Sequence, residues 1–356
     1  MNKQYWSRRI QNTEPYIPGE QPKDRRYVKL NTNENPYPPS PKVQEALQNV
    51  AISDLRLYPD PDCLQLRTAL ANQHHIAPEN VFVGNGSDEI LAFCYLAFMD
   101  ENNPAIFPDI TYSFYPVYAA LFGNNTRIVP VREDFSIPVD ELCKNDGTVV
   151  LTNPNAPTGM AVSLHVIEDI LKANPDHVVI VDEAYVDFGA ESAVPLINRY
   201  PNLLVVQTCS KSRSLAGMRI GFAFGCPDLI AALNTVKNSV NSYTLDRMAL
   251  SAAQAAVEDT VYMDDTRTRV SNTREITTGK LKNLGFTVLP SKANFVFASH
   301  DQVPGQALFQ QLRDRGVLVR YFNKPRIHEF LRITIGTPEE MDVLIHALEE
   351  ILEGYK

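Results

Sequence analysis

Lys211 stands between two serines in the run Thr208-Cys209-Ser210-Lys211-Ser212, and Arg219 follows eight positions later among small residues. A lysine so placed could act as a nucleophilic amine that forms a Schiff base with a carbonyl compound. Ser210 and Arg219 could hold an anion such as a phosphate beside it. Other clusters supply complementary groups. In Gly84-Asn85-Gly86-Ser87-Asp88-Glu89 the glycines allow a ligand close to the backbone, and Ser87 or Asp88 caps a helix whose free N–H groups form an anion site. The run has neither the Gly-Lys-Ser/Thr of a Walker loop nor G-x-G-x-x-G spacing. Tyr112, after Asp109-Ile110-Thr111, could stack on a flat heteroaromatic ring. Asn153 and Asn155 lie in a proline-stiffened loop that ends in Ala156-Pro157-Thr158-Gly159. Asp182 closes the apolar run 178–181, where an unpaired carboxylate is costly. A protonated pyridine nitrogen would serve as its partner, with Tyr185 reaching the ring's phenolic oxygen.

The pattern between the clusters shows what must position them. Short apolar runs at 81–83, 105–107, 126–131, 148–152, 178–182, 203–208 and 220–224 read as strands. Helices fit at 87–99, 112–122, 164–173 and in the stretch after Ala190. Continuous apolar strands alternating with helices predict an α/β fold, with a mostly parallel seven-stranded sheet covered by helices on both faces. Ligands of such sheets sit beyond the carboxyl ends of the strands, which is where every cluster falls. After Asp228 comes a long, largely helical region to about Leu284. A strand at 295–298, a helix at 306–315, strands at 317–320 and 331–335, and a helix at 338–352 then make a smaller α+β unit. Residues 1–40 are rich in proline, asparagine and charge and lack periodicity, so they form an arm that must lie on something else. The expected division is an arm at 1–45 on the small domain or a partner subunit, a large cofactor-binding domain at 46–250, and a small domain at 251–356.

Composition narrows the function classes. A chain of 356 residues is too long for one core. A formal net charge of −9 argues against a nucleic-acid or anionic-membrane surface, so any anionic ligand needs local cations. Five scattered cysteines without C-x-x-C spacing read as reduced thiols, with no metal site. The longest apolar run, 90–99, is too short to span a bilayer, and the N-terminus has no signal-like apolar stretch. The expectation is a cytoplasmic protein.

A lysine for an imine, a carboxylate for a pyridinium, a phenol and an amide for a ring oxygen, a stacking aromatic and a phosphate cradle together point to pyridoxal 5′-phosphate. The order Tyr58-Pro59-Asp60, 84–89, 153–159, Asp182 to Tyr185, and Ser210-Lys211 through Arg219 resembles the fold type I, class II aminotransferases. Pro15-Tyr16, Asn33-Glu34-Asn35-Pro36, Val319-Arg320 and 330–337 are most similar to the branch that acts on histidinol phosphate.

The resemblance implies roles. Lys211 would bind the cofactor and shuttle a proton, Asp182 would hold the ring nitrogen, Tyr185 the ring hydroxyl, and Tyr112 would stack on the ring. Gly86, Ser87, Asp88, Thr208, Ser210 and Arg219 would surround the cofactor's phosphate end, with Tyr58 reaching in from the partner of a homodimer. Arg332 would bind the carboxylate of glutamate or 2-oxoglutarate as a planar fork. Arg320, with Tyr16 and Asn33, would bind the phosphate of histidinol phosphate. One position departs from the family: the residue before Pro-Thr-Gly is usually asparagine and here is Ala156. Either Asn155 takes over that bond to the ring oxygen or Tyr185 carries it alone. The implied activity is transamination between histidinol phosphate and 2-oxoglutarate in histidine biosynthesis. Aromatic amino-acid transamination and decarboxylation of a phosphothreonine-type substrate are the rival activities. A DNA-binding regulator on this scaffold would need a larger N-terminal module than the residues before Leu30.

Overall fold

The structure, a computed structural model, describes residues 3–11 and 13–355. Residues 1, 2 and 12 of the expected arm and 356 of the expected small domain lie outside it. The strands are β1 (Val28–Lys29), β2 (Val81–Gly84), β3 (Ala105–Pro108), β4 (Thr126–Val129), β5 (Thr148–Thr152), β6 (Val179–Asp182), β7 (Leu203–Thr208), β8 (Gly221–Gly225), β9 (Phe286–Val288), β10 (Phe295–His300), β11 (Val317–Leu318), β12 (Arg320–Tyr321) and β13 (Phe330–Thr334).

Seven of these form the large sheet, in the order β2-β8-β7-β6-β5-β3-β4. Only β8 runs against its neighbours, so the sheet is mixed but mostly parallel, as expected. Strands β2, β3, β5, β6, β7 and β8 are buried along their whole length because helices cover both faces. Alternate residues serve the two faces, as the two-residue period requires. Val149, Leu151, Val179, Val181, Leu203 and Val205 pack with the helices Leu64–His74, Leu164–Ala173 and Arg247–Glu258. Val150, Ile180, Leu204 and Val206 pack with the helices Gly86–Ala97, Tyr115–Phe122 and Pro227–Val240.

A four-stranded antiparallel sheet, β12-β13-β10-β9, carries a second core with the helices Thr260–Asn283, Gly305–Asp314 and Pro338–Glu353. The arm belongs to this unit: β1 pairs with β11, and Leu30 is buried in its core. An apolar cluster of Ile110, Val131, Phe135, Phe297 and Ile327 joins the two units.

Several elements differ from expectation. The helix expected from 112 begins at Tyr115, where Pro116 suits the first turn because its missing N–H has no intrahelical partner there. Tyr112 is therefore on the loop. The stretch after Ala190 forms only a short 3₁₀ turn, Val194–Leu196, containing Pro195, while Glu183 takes the N–H of Ala193 and the hydroxyl of Ser192. The strand expected at 317–320 is divided between two sheets, since Val317–Leu318 faces the arm and Arg320 pairs with Arg332. The boundary expected at 250 falls inside the helix Arg247–Glu258, whose Ala249, Ala252, Ala253 and Ala256 are buried in the core of the large sheet.

Candidate active site

The carboxyl ends of β5, β6 and β7 open on one cavity of about 200 Å³. Ser87, Asp88, Tyr112, Asp182, Tyr185, Thr208, Ser210, Lys211 and Arg219 line it, together with Tyr16, Asn33, Arg320 and Arg332. Residues spread over more than 300 positions thus face one space. Lys211 projects from the loop that leaves β7. The arm fixes this loop: Asn35 Nδ2 donates to the carbonyls of Lys211 (3.0 Å) and Ser212 (3.3 Å), and Lys211 Nζ donates to Thr32 O at 3.2 Å. Burial, reinforced by the nearby Arg332 guanidinium, pushes the Lys211 amine down from 10.5 to about 8. Its neutral, nucleophilic fraction near neutral pH rises by roughly two orders of magnitude.

Asp182 ends β6 with 3% of its surface exposed. Tyr115 Oη donates to Oδ2 at 2.9 Å and the Ala184 N–H to Oδ1 at 3.2 Å. Tyr115 Oη also lies 2.6 Å from Thr152 Oγ1. Among the described residues no lysine, arginine or histidine forms an ion pair with Asp182, and desolvation raises its carboxyl from 3.8 to about 6. The site therefore holds a buried carboxylate that lacks a cation and faces a cavity. Tyr185 is held edge-on to Phe295 at 5.1 Å, with Lys211 Nζ 5.7 Å from its ring centre.

The opposite wall is a close approach of backbones. Gly86 has φ +77°, and a Cβ there would lie 2.6 Å from Arg219 Nη2. A Cβ at Gly221 would lie 2.4 Å from Gly86 C and from Ser87 N. Glycine at both positions brings the first N–H groups of the helix Gly86–Ala97 beside Ser210 and Arg219, an anion cradle. Asp88 ties it together, accepting from Arg219 Nη2 at 3.0 Å and from Tyr112 Oη at 2.8 Å, which fixes the Tyr112 ring at the cavity wall. Gly86 shapes this wall without lining the cavity itself.

Two arginines occupy the small-domain side. Arg332 Nη2 donates to Asn31 O at 3.1 Å, while its buried Nε has no partner. Arg320 donates from Nη2 to Ile17 O (2.9 Å) and from Nη1 to Pro18 O (3.3 Å), so it clasps the arm where Tyr16 enters the cavity. Tyr16 stacks on Phe114 with ring centres 4.3 Å apart.

Besides Gly86, Asn155 and Tyr58 do not line this cavity, and Tyr58 is the residue expected at the partner subunit's site. Asn155 does not line the cavity: its Nδ2 donates to Ile110 O (3.0 Å) and Thr158 Oγ1 (3.1 Å), and the methyl of Ala156 lines the wall instead. Tyr58 is 76% exposed and stacks on Tyr243 with centres 4.5 Å apart, away from this chain's own cavity. Tyr115, Thr152 and Thr32 were not anticipated. Tyr115 reads as one more apolar residue of a helix, and its only sequence signal is that it follows Tyr112 by one helical turn.

The residues fit pyridoxal 5′-phosphate: an uncompensated buried carboxylate suits a pyridinium, the glycine cradle suits a phosphate, and a depressed lysine suits a carbonyl. Fold and site together define an α/β chain built to hold a cofactor of this kind at its strand ends. The family model "Aminotransferase class I and II" matches residues 25–348, and the chain belongs to that family. It is 53% identical over 350 residues to the histidinol-phosphate aminotransferase of Clostridium beijerinckii, covering 98% of each chain. The histidinol-phosphate aminotransferase of Acinetobacter baumannii is 57% identical over 349 residues, 97% of each. Among solved structures, the histidinol-phosphate aminotransferase of Sinorhizobium meliloti in complex with pyridoxal-5′-phosphate superposes over 99% of both chains with a TM-score of 0.90 and 25% identity. Aspartate aminotransferase from Thermus thermophilus with maleate, at 20% identity, shares the fold with a TM-score of 0.82 over 98% of both chains.

Proposed function

We propose that this chain is a pyridoxal 5′-phosphate-dependent aminotransferase that moves an amino group between histidinol phosphate and 2-oxoglutarate in histidine biosynthesis. The observation that carries the reading is the convergence of Lys211, Asp182, Tyr185 and Arg219 on one cavity with two arginines at its other side. When bound, the cofactor supplies a reactive carbonyl carbon and an electron-accepting ring. Lys211 Nζ, with its lowered proton affinity, would hold that carbon and would move a proton at the substrate's α-carbon. Asp182 Oδ would hold the proton on the ring nitrogen, and Tyr185 Oη would donate to the ring oxygen. The helix N-terminus at Ser87, with Thr208, Ser210 and Arg219, would hold the cofactor's phosphate. Arg332 grips the substrate carboxylate, and Arg320 with Tyr16 receives the phosphate of histidinol phosphate.

A homodimer completes the reading. Tyr58 stacks on Tyr243 at the surface beside exposed Leu55 and Leu57, an apolar patch suited to a second copy of the chain. The five unpaired cysteines suit the reducing cytoplasm, and no helix among the described residues is long and apolar enough to cross a membrane. The arm with the helices and strands after Thr260 forms the small domain, and the helix Arg247–Glu258 belongs to the large one. The test is product formation: histidinol phosphate with 2-oxoglutarate yields glutamate. Glutamate from phenylalanine but not from histidinol phosphate, or release of carbon dioxide, overturns the substrate reading.

A further inference from the structure

Tyr185 carries the phenol of the site, and its hydroxyl has one buried protein partner that the roles above do not use. Asn33 Nδ2 lies 2.9 Å from Tyr185 Oη. Which way that bond runs is decided one step further out. The backbone N–H of Asn33 donates to Thr334 Oγ1 at 3.0 Å, so a lone pair of that hydroxyl is taken. Thr334 Oγ1 also lies 3.1 Å from Asn33 Oδ1, and because no other acceptor among the described residues takes its buried proton, it donates to that oxygen. The carboxamide is thereby oriented, oxygen toward Thr334 and nitrogen toward Tyr185. An amide nitrogen can only donate, so the Tyr185 proton cannot point at Asn33 and is left for an acceptor in the cavity.

The rest of the environment preserves this arrangement. Asn33 takes a left-handed backbone conformation, φ 56°, which asparagine tolerates better than most residues, and Asn294 Nδ2 holds its carbonyl at 3.0 Å. Asn33 and Thr334 are buried, so water does not compete for the bonds. Burial also raises the Tyr185 phenol above its ordinary value, keeping the proton in place near neutral pH. Across the cavity Ala156 offers a methyl and Asn155 is bonded elsewhere, so no carboxamide from that loop shares the work.

We infer that Asn33 is a positioning residue: held by Thr334, it turns the Tyr185 hydroxyl proton into the cavity and makes Tyr185 the donor to the cofactor's ring oxygen. This rests on the aminotransferase reading. It also changes the job expected of Asn33, whose oxygen and one amide proton are already committed within the protein.

Asn33→Asp keeps the shape of the side chain and replaces the donor by a carboxylate acceptor, so the phenol proton turns toward residue 33. The test is the pH titration of the cofactor's absorbance in the loaded protein, without substrate. A donor to the ring oxygen stabilises the form with more negative charge there, so losing it raises the midpoint. A hydrogen bond to a charged group corresponds to roughly one to two pH units. Tyr185→Phe and Asn33→Asp should each raise the midpoint by about that amount. Asn33→Ala, which frees the hydroxyl without reversing it, should raise it less. In the Tyr185→Phe background the uncharged Asn33→Ala should add little, because the groups act in series. A Tyr185→Phe shift with unchanged Asn33→Asp and Asn33→Ala midpoints overturns the inference, as do additive Asn33→Ala and Tyr185→Phe shifts. Failure of the wild-type protein to bind pyridoxal 5′-phosphate overturns instead the reading beneath it. Circular dichroism of each variant separates misfolding from these outcomes.

Discussion

Asp182 is a liability to the protein without cofactor, and Asp182→Asn should reveal this. Its carboxyl is raised from 3.8 to about 6 in the folded chain. At about 1.36 kcal/mol per pH unit this amounts to about 3 kcal/mol. A group with a raised folded value binds its proton more tightly in the folded state. Its favourable contribution is therefore full below pH 3.8 and is lost as the pH rises through about 6. Asparagine has no charge to desolvate and can keep both contacts: Oδ1 accepts from the Ala184 N–H, and Nδ2 donates to Tyr115 Oη, which turns its own proton to Thr152. Measured by thermal unfolding of cofactor-free protein from pH 4 to 8, wild type should lose stability relative to Asp182→Asn between pH 4 and 6. Above pH 7 the variant should be the more stable by up to about 3 kcal/mol, on the order of 4 °C for a chain of this length. Glu183, raised from 4.5 to about 7 by burial, slopes both proteins alike, so the difference isolates Asp182. Added pyridoxal 5′-phosphate should stabilise wild type more than the variant, which cannot balance a pyridinium. Parallel pH profiles for the two cofactor-free proteins would refute the reasoning.

Other perturbations probe the remaining walls of the site. Gly221→Ala puts a methyl 2.4 Å from the backbone of Gly86 and Ser87, so β8 or the start of the helix Gly86–Ala97 must shift. The expected cost is about 1–3 kcal/mol in unfolding experiments, with weaker cofactor retention in equilibrium dialysis. Arg332→Lys loses the planar fork, and steady-state kinetics should show KM for glutamate raised about tenfold or more, equivalent to about 1.4 kcal/mol. Arg320→Ala should raise KM for histidinol phosphate while leaving that for glutamate near its starting value, and it should free the arm carbonyls of Ile17 and Pro18 to exchange contacts.

Much of the fold was legible because six of the seven large-sheet strands are buried along their length and so write themselves as unbroken apolar runs, with polar clusters at their ends. Lys211, Asp182 and Arg219 could be read for the same reason, being charges at the ends of apolar segments. Less legible were features that depend on contacts distant in sequence. The pairing of Val28–Lys29 with Val317–Leu318 spans only two residues and leaves no period. Tyr115 looks like core until its hydroxyl is seen on Asp182. Asn155 and Ala156 are adjacent, and only the backbone path of their loop decides which one faces the cavity. Asn33 lines the cavity, but nothing in its sequence neighbourhood shows that Thr334, some 300 positions on, bonds its amide oxygen.

The central claim is that Lys211 is the amine around which this site is assembled. Borohydride reduction of the protein loaded with pyridoxal 5′-phosphate, followed by peptide mapping in a mass spectrometer, tests it directly. A pyridoxyl group should appear on Lys211 alone and be absent from a Lys211→Ala variant. A label on another lysine, or one that survives in Lys211→Ala, would contradict it.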